Sequence, residues 1–275
     1  MKLKRQIGAK LNLTLDIVGE KNGFHQLKSL VVELSIKDTV IIKGRNDDRV
    51  TLKIKGATLP TDERNTAFRA GKAFVDRYLV PGVDITVIKK IPLGGGLGGS
   101  SADAAGVLSL MKEYYDIDGD LSSIASSLGS DVYYMLNGGT ALLEGKGERV
   151  KKIDSSKKLY FLLALAKKEC LSKDAYLEYD KQGITYPECS DEAIKHYKNG
   201  DVNSLIKVMK NDLTPASTTL VKEIKDNLKA LSVTGNAFMT GSGSVTFSLF
   251  ESKKERDMWY NKLKKSLTLI KAETV

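Results

Sequence analysis

Pro92-Leu-Gly-Gly-Gly-Leu-Gly-Gly-Ser-Ser-Ala-Asp-Ala-Ala105 decides how this chain is read. A β-branched run, Val83-Asp-Ile-Thr-Val-Ile88, precedes it. Behind it Ala104, Ala105, Val107, Leu108, Leu110 and Met111 recur with helical spacing. A strand therefore enters, a glycine loop turns, and a helix leaves. Five glycines fall in the six positions 94–99, a large entropic cost on folding. What they gain is close approach: without Cβ atoms, successive backbone amides can converge on one point. Ser100 or Ser101 would then lie near the helix N-cap, where orphan amides and the macrodipole attract an anion. Phosphate is the natural occupant.

Other glycine loops fit less well. Gly94, Gly96 and Gly99 satisfy G-x-G-x-x-G, but a dinucleotide fold wants an acidic residue ending the next strand roughly 20 residues on. Tyr115-Asp-Ile-Asp-Gly119 reads there as a helix end and turn. A P-loop needs Gly-Lys-Ser/Thr, and Gly99 is followed by Ser100. The His-Arg-Asp and Asp-Phe-Gly motifs of protein kinases do not occur. A flexible linker would not carry Pro92, Leu97 and a following helix pattern.

The 275 residues suffice for two modest domains. With 41% hydrophobic and 28% charged residues the composition is that of a soluble globular protein. Apolar runs such as Leu159–Ala166 are too short for a membrane span. Asn12, Thr14 and Asp16 interrupt the first leucine run, unlike a signal peptide. Cys170 and Cys189 make no disulfide framework, which points to a reducing cytoplasm. With only His25 and His196 beside them they form no zinc set. The net charge of +9 fits either nucleic acid or polyphosphate handling. The cluster Lys253, Lys254, Lys262, Lys264 and Lys265 lies on a helical pattern and reads as a solvated face. No nucleic-acid module signature is present.

Near the N-terminus Lys10, Asn12, Thr14 and Asp16 alternate with Leu11, Leu13, Leu15 and Ile17. Period two places Lys10 and Asn12 on the same face of a strand, about 7 Å apart. By pattern alone this is a solvated sheet face. Asn22-Gly23 then predicts a hairpin turn leading to Phe24-His25, where His25 by itself reads as a packed histidine. A helix is predicted over 62–75 and a short one over 120–128. Asp131, after Gly129-Ser, reads most plainly as an N-cap. Residues 138–149 predict a hairpin. The polar segment Lys151–Lys158 marks a domain boundary, giving domains 1–152 and 158–275. Thr240-Gly-Ser-Gly-Ser244 predicts a second tight glycine loop between strands.

Together these residues resemble a known family. Pro92-x-x-x-Gly96-Leu97 followed by Ser100-Ser101 is similar to the phosphate loop of the GHMP kinases (galactokinase, homoserine, mevalonate and phosphomevalonate kinases). Thr240-Gly-Ser-Gly243 resembles their C-terminal glycine motif. Further matches point to one branch, whose acceptor is a cytidine-diphosphate-linked alcohol of the non-mevalonate isoprenoid route. They are Ala9-Lys-Leu-Asn-Leu13, Gly23-Phe-His25, Leu128-Gly-Ser-Asp-Val132, Glu144-Gly-Lys-Gly-Glu148 and Asn211-Asp-Leu213. Gly8 stands where that branch usually has Pro, and Phe24 where it has Tyr. Ser100 and Ala102 stand where Gly and Ser are common.

The resemblance implies a two-domain α/β fold with a ferredoxin-like C-terminal domain and the site in the cleft between the domains. It implies ATP as phosphoryl donor with Mg²⁺, and a small-molecule alcohol as acceptor. Pro92, Gly94, Gly95, Gly96, Leu97, Gly98, Gly99, Ser100 and Ser101 would cradle the phosphates, with Ser101 touching Mg²⁺. Asn65 and Lys89 would lie at the adenine end. Asp131 would take the acceptor's proton and Lys10 would stabilise the developing charge. His25, flanked by Phe24 and Tyr176, would hold cytosine, and Asn12, Gly241 and Ser242 would line the acceptor side. It leaves a cytoplasmic monomer or homodimer, binding neither nucleic acid nor membrane. Another GHMP alcohol kinase, a silent binding protein of the same fold, and a basic nucleic-acid binder remain as alternative readings.

Overall fold

The computed structural model describes residues 1–154 and 157–275. The elements in chain order are β1 (Lys2–Asn12), β2 (Asp16–Lys21), β3 (Phe24–Gly44), β4 (Thr51–Lys55), α1 (Thr66–Tyr78), β5 (Val83–Ile88), α2 (Gly99–Tyr114), α3 (Ser122–Leu128), α4 (Ser130–Asn137), β6 (Thr140–Gly145), β7 (Arg149–Lys152), β8 (Tyr160–Ala164), α5 (Ser172–Gln182), α6 (Ser190–Lys198), α7 (Val202–Val208), α8 (Thr214–Leu220), α9 (Lys222–Leu231), β9 (Phe238–Met239), β10 (Thr246–Phe250), α10 (Lys253–Leu263) and β11 (Leu269–Glu273). Two units form, each from three segments. One holds residues 1–9, 36–91 and 98–138; the other holds 10–35, 92–97 and 139–275. The segment expected to divide the chain includes residues 155 and 156, which lie outside the described residues.

In the first unit β5 pairs antiparallel with the far part of β3, Thr39–Gly44, and parallel with β4. Along β5 Val83, Ile85 and Val87 are buried and the residues between are half-buried, as a two-residue period requires. Helices α1 to α4 supply the rest of this unit's core. Ala102, Ala104, Ala105, Val107, Leu108, Leu110 and Met111 of α2 are all buried. Gly106 permits close packing on the sheet, since a Cβ there would stand 2.7 Å from Val40 Cγ2. Helix α1 begins four residues later than the apolar spacing suggests. Asp62 folds back on Arg64, and Asn65 becomes the N-cap by accepting from the Ala67 amide at 2.9 Å.

In the second unit β2 and β3 form a hairpin through Asn22-Gly23, both with positive φ, 54° and 73°. That pair of left-handed residues makes the tight turn whose twist suits a hairpin, as the sequence predicts. The near part of β3, Leu27–Val32, pairs with β6, and β6 with β7, so the expected hairpin over 138–149 is present. A separate antiparallel sheet has the strand order β11-β8-β10-β9. Fourth, first, third, second is the order of a ferredoxin-like sheet. Helices α5 to α9 connect β8 to β9, and α10 connects β10 to β11. Leu162, Ala164, Leu231 and Phe250 form one apolar cluster of this unit. Lys253, Lys254 and Lys262 on α10 are exposed, the solvated face that the spacing suggests. Among the described residues no helix is long and apolar enough to cross a membrane.

Candidate active site

The glycine loop joins β5 to α2, as its sequence predicts, but neither serine is the N-cap. Gly98 holds that position at φ 70°, and it has no side chain with which to cap the helix. Ser100 and Ser101 instead fall in the first turn of α2, Ser100 exposed and Ser101 half-buried. The first helical hydrogen bond runs from the Ala102 amide to the Gly98 carbonyl, 2.9 Å. The amides of Gly99, Ser100 and Ser101 thus precede the helical ladder, in a turn that favours an anion.

Lys89 lies immediately behind that turn. Its ammonium is buried between Asp38 and Asp103, 2.6 Å from Asp103 Oδ2, and reaches the Gly99 carbonyl at 3.4 Å. It is therefore committed to carboxylates inside the first unit. Burial pushes the Asp103 carboxyl up to about 7, against the pull of Lys89. Asn65 is likewise engaged, capping α1 and donating to the Pro60 carbonyl at 2.9 Å. Nothing in the sequence pattern singles out Asp38, an isolated acid in a strand, or Asp103.

In the second unit, residues 92–97 pack on the second glycine loop, which the structure places between β9 and β10 as expected. Gly96 has φ 73°, and a Cβ there would stand 2.6 Å from the Thr240 carbonyl oxygen. A Cβ on Gly241 would stand 3.2 Å from the Gly96 carbonyl oxygen and 3.5 Å from Lys10 Nζ. The Asn211 amide holds this second loop through the carbonyls of Met239 (3.0 Å) and Gly241 (2.8 Å). Ser217 donates to the Ser242 carbonyl at 2.9 Å, and the Ser242 and Ser172 hydroxyls share a hydrogen bond. The Asn-Asp-Leu motif is thus a loop support, followed by Asp212, whose carboxylate accepts from the Ile17 amide at 2.8 Å.

The alternating polar residues at the end of β1 and on into β2 behave unlike a solvated face. Lys10 is 6% exposed, and Asn12, Thr14 and Asp16 are buried with it. The Lys10 ammonium donates to Asn12 Oδ1 at 2.5 Å, and Asn12 Nδ2 donates to Ser29 Oγ at 2.7 Å. The Asn12 amide donates to Thr240 Oγ1 at 2.8 Å. Thr14 shares a hydrogen bond with Ser190, and Asp16 accepts from the amides of Cys189 and Ser190. These partners lie up to 228 residues away in sequence, so a local pattern cannot reveal them. Buried polar groups persist only when partnered, and here the network orients Lys10. Asp131, in the first unit, is half-buried in the first turn of α4, with Gly129 as the N-cap rather than Asp131.

The residues expected around cytosine all belong to the second unit. Phe24 is 55% exposed, with Lys146 Nζ over its ring at 3.3 Å. His25 is stacked by Tyr176, centroids 4.9 Å apart and planes at 13°, and Tyr179 meets it edge-on at 6.0 Å. His25 Nε2 lies 3.1 Å from Asp180 Oδ1. Lys146, in the β6–β7 turn, is the residue that the sequence reading passes over.

Among the described residues no group of three His, Cys, Asp or Glu could hold a metal alone. A Mg²⁺ carried by a polyphosphate needs only one or two protein oxygens. The donor chemistry fits that: Ser101 offers a hydroxyl in the same turn whose amides favour phosphate.

Two family models match this chain: the GHMP kinases N terminal domain over residues 65–139 and the GHMP kinases C terminal domain over 192–268. The 4-diphosphocytidyl-2-C-methyl-D-erythritol kinase of Clostridium beijerinckii is 35% identical over 273 residues, 96% of each chain. That of Carboxydothermus hydrogenoformans is 35% identical over 92% of this chain and 90% of its own. A crystal structure of 4-(cytidine 5'-diphospho)-2C-methyl-D-erythritol kinase superposes with a TM-score of 0.84 at 26% identity, covering 98% of both chains. Homoserine kinase from Cytophaga hutchinsonii, 19% identical with a TM-score of 0.77 over 100% of this chain and 94% of its own, shares the fold.

Proposed function

This chain belongs to the GHMP kinase family, and from that premise we propose that it phosphorylates the 2-hydroxyl of 4-diphosphocytidyl-2-C-methyl-D-erythritol at the expense of ATP, in isoprenoid precursor synthesis. The observation that carries the acceptor is the end-to-end likeness to kinases of that compound, 35% identity over 96% of both chains. The aromatic group of Phe24, His25 and Tyr176 supports it, because a nucleobase gains about 1–3 kcal/mol by stacking on such rings.

Phosphoryl transfer rests on positioning and charge neutralisation. The amides at the start of α2, with the residue 92–98 loop leading into it, receive the ATP phosphates. Ser101 would hold Mg²⁺, which would supply charge neutralisation on the triphosphate. Asp131 accepts the proton of the acceptor hydroxyl as its oxygen bonds to the γ-phosphorus and the bond to ADP breaks. Lys10, held by Asn12, offsets the negative charge that develops. His25 selects cytosine by hydrogen bonding, since stacking tolerates any base. Asn12, Gly241 and Ser242 shape the acceptor side. The free thiols of Cys170 and Cys189 suit a cytoplasmic enzyme, acting as monomer or homodimer.

The test is a kinase assay on the cytidyl substrate against 2-C-methyl-D-erythritol 4-phosphate, which lacks the cytidyl group. A kcat/KM at least tenfold higher for the cytidyl compound is expected. Equal values would move the assignment to another alcohol acceptor.

A further inference from the structure

Asp38, in β3, is 0% exposed and holds the incoming end of the phosphate loop directly, and the outgoing end through Lys89. Its Oδ1 accepts from the backbone amides of Lys90 and of Ile91, the latter at 2.8 Å. Those are the last two residues before Pro92. Its Oδ2 binds the Lys89 ammonium. From there the contacts pass to the outgoing arm: Lys89 Nζ meets the Gly99 carbonyl at 3.4 Å and Asp103 Oδ2 at 2.6 Å, one turn into α2. Gly99 lets the ammonium come close, for a Cβ there would stand 3.3 Å from Lys89 Nζ and 3.2 Å from Ile91 Cγ2. Asp103 Oδ1 is buried without a hydrogen-bond partner.

One ammonium facing two buried carboxylates is a poor arrangement for stability alone. Burying such charges can cost more than their attraction returns unless the geometry is excellent and further hydrogen bonds satisfy them, and Asp103 Oδ1 has no such partner. Here the same three side chains touch the residues on each side of the loop, and all of them lie in the first unit. A seven-residue stretch rich in glycine, 92–98, has little stiffness of its own, so the conformation of its amides depends on how its ends are held as well as on its packing against the second glycine loop.

We infer that Asp38, Lys89 and Asp103 are a buried clamp that fixes the two ends of the phosphate loop, and that they are positioning residues for ATP rather than for the alcohol acceptor. The inference rests on the kinase reading above.

Asp38→Asn keeps the size of the side chain and removes its charge. ATP affinity measured by calorimetry should fall at least tenfold. KM for the cytidyl alcohol should stay within twofold of wild type. Lys89→Arg, which keeps the charge and moves it, should show the same split. A lower melting temperature with unchanged ATP affinity in either variant would make the cluster merely structural and overturn the clamp. If neither variant folds, hydrogen exchange on the wild-type protein decides: the Lys90 and Ile91 amides should be slow before ATP is added, and fast exchange there would overturn it. The two readings separate cleanly. A wild type that binds ATP but ignores the cytidyl alcohol rejects the acceptor alone, and ATP affinity of the variants still judges the clamp. A wild type that binds no ATP overturns both.

Discussion

The ring of Tyr176 lies flat on that of His25, their centroids 4.9 Å apart and their planes 13° from parallel. A stack this close leaves no space for a base between the two rings. On the proposed reading, cytosine would either displace Tyr176 or use the remaining face of one ring. Both routes make Tyr176 part of the energetics of the cytidyl group. Tyr176→Ala should raise KM for the cytidyl substrate about tenfold, the equivalent of roughly 1.4 kcal/mol of lost stacking. KM for ATP should stay within twofold. Steady-state kinetics with each substrate varied in turn checks this, and an equal rise in both KM values would refute a dedicated base site at Tyr176.

Asp103 sets a pH dependence of stability. Burial, opposed by the charge of Lys89, pushes its carboxyl up to about 7, whereas the unfolded chain releases that proton near about 4. Between those values the folded state binds the proton and the unfolded state does not. Stability from this group is therefore full below about 4 and is lost as the pH rises to about 7. Asn cannot titrate, so Asp103→Asn removes this slope. The melting temperature of the variant relative to wild type should be higher at pH 8 than at pH 5. Thermal denaturation at the two values measures it, and a constant difference would show that Asp103 does not titrate in this window.

The strand–loop–helix around Pro92–Ala105 and the Asn22-Gly23 hairpin were legible because local patterns define them. So was the loop at Thr240. Three features were not, and each depends on contacts distant in sequence. The polar set Lys10, Asn12, Thr14 and Asp16 has the alternation of a solvated sheet, yet Asn12 is partnered by Thr240 and Ser29 and Thr14 by Ser190. Asp38 stands in the apolar stretch Ile36–Ile42 with no motif around it, and its partners lie 51 to 53 residues on. Lys89, placed at the adenine end only by the resemblance, has its ammonium between Asp38 and Asp103, a pairing that no local pattern announces. Gly98 displaced the serines as N-cap because a left-handed residue was needed there, and glycine takes it without strain.

The proposed phosphate site would couple binding to folding at Gly96. Its φ of 73° costs a residue with a Cβ about 1–2 kcal/mol, and the added carbon would stand 2.6 Å from the Thr240 carbonyl oxygen. A larger residue must therefore push the second glycine loop as well as crowd the proposed phosphate position. Gly96→Ala should weaken ATP binding and also lower the melting temperature, by several degrees. Gly98→Ala, where φ is 70° but the residue is a helix cap, serves as the comparison for left-handed strain. Calorimetry and thermal denaturation of both variants check this. A Gly96→Ala protein with wild-type ATP affinity would remove the loop from the nucleotide site.

Asp131 is the residue on which the chemistry is staked. It lies in the first turn of α4 beside Gly129 and Ser130, half-buried, and Gly129 takes the capping position that would otherwise explain an acid there. An acid in a first helical turn also favours the macrodipole, typically by about 0.3–1 kcal/mol. A purely structural role therefore predicts that Asp131→Asn lowers stability slightly and leaves turnover alone. A general base predicts the reverse. The amide is nearly isosteric but cannot accept the proton of the acceptor hydroxyl, so kcat should fall by at least about 10²-fold with ATP affinity unchanged. Lys10→Met should also lower kcat, because the neutral side chain cannot offset developing charge. Because Lys10 donates to Asn12 at 2.5 Å, Asn12→Ala should reproduce part of that loss by removing one of the contacts that orient the ammonium. Single-turnover measurements isolate the chemical step from product release. An Asp131→Asn enzyme within a few-fold of wild type in that step would leave Asp131 as a helix-turn residue and require another base.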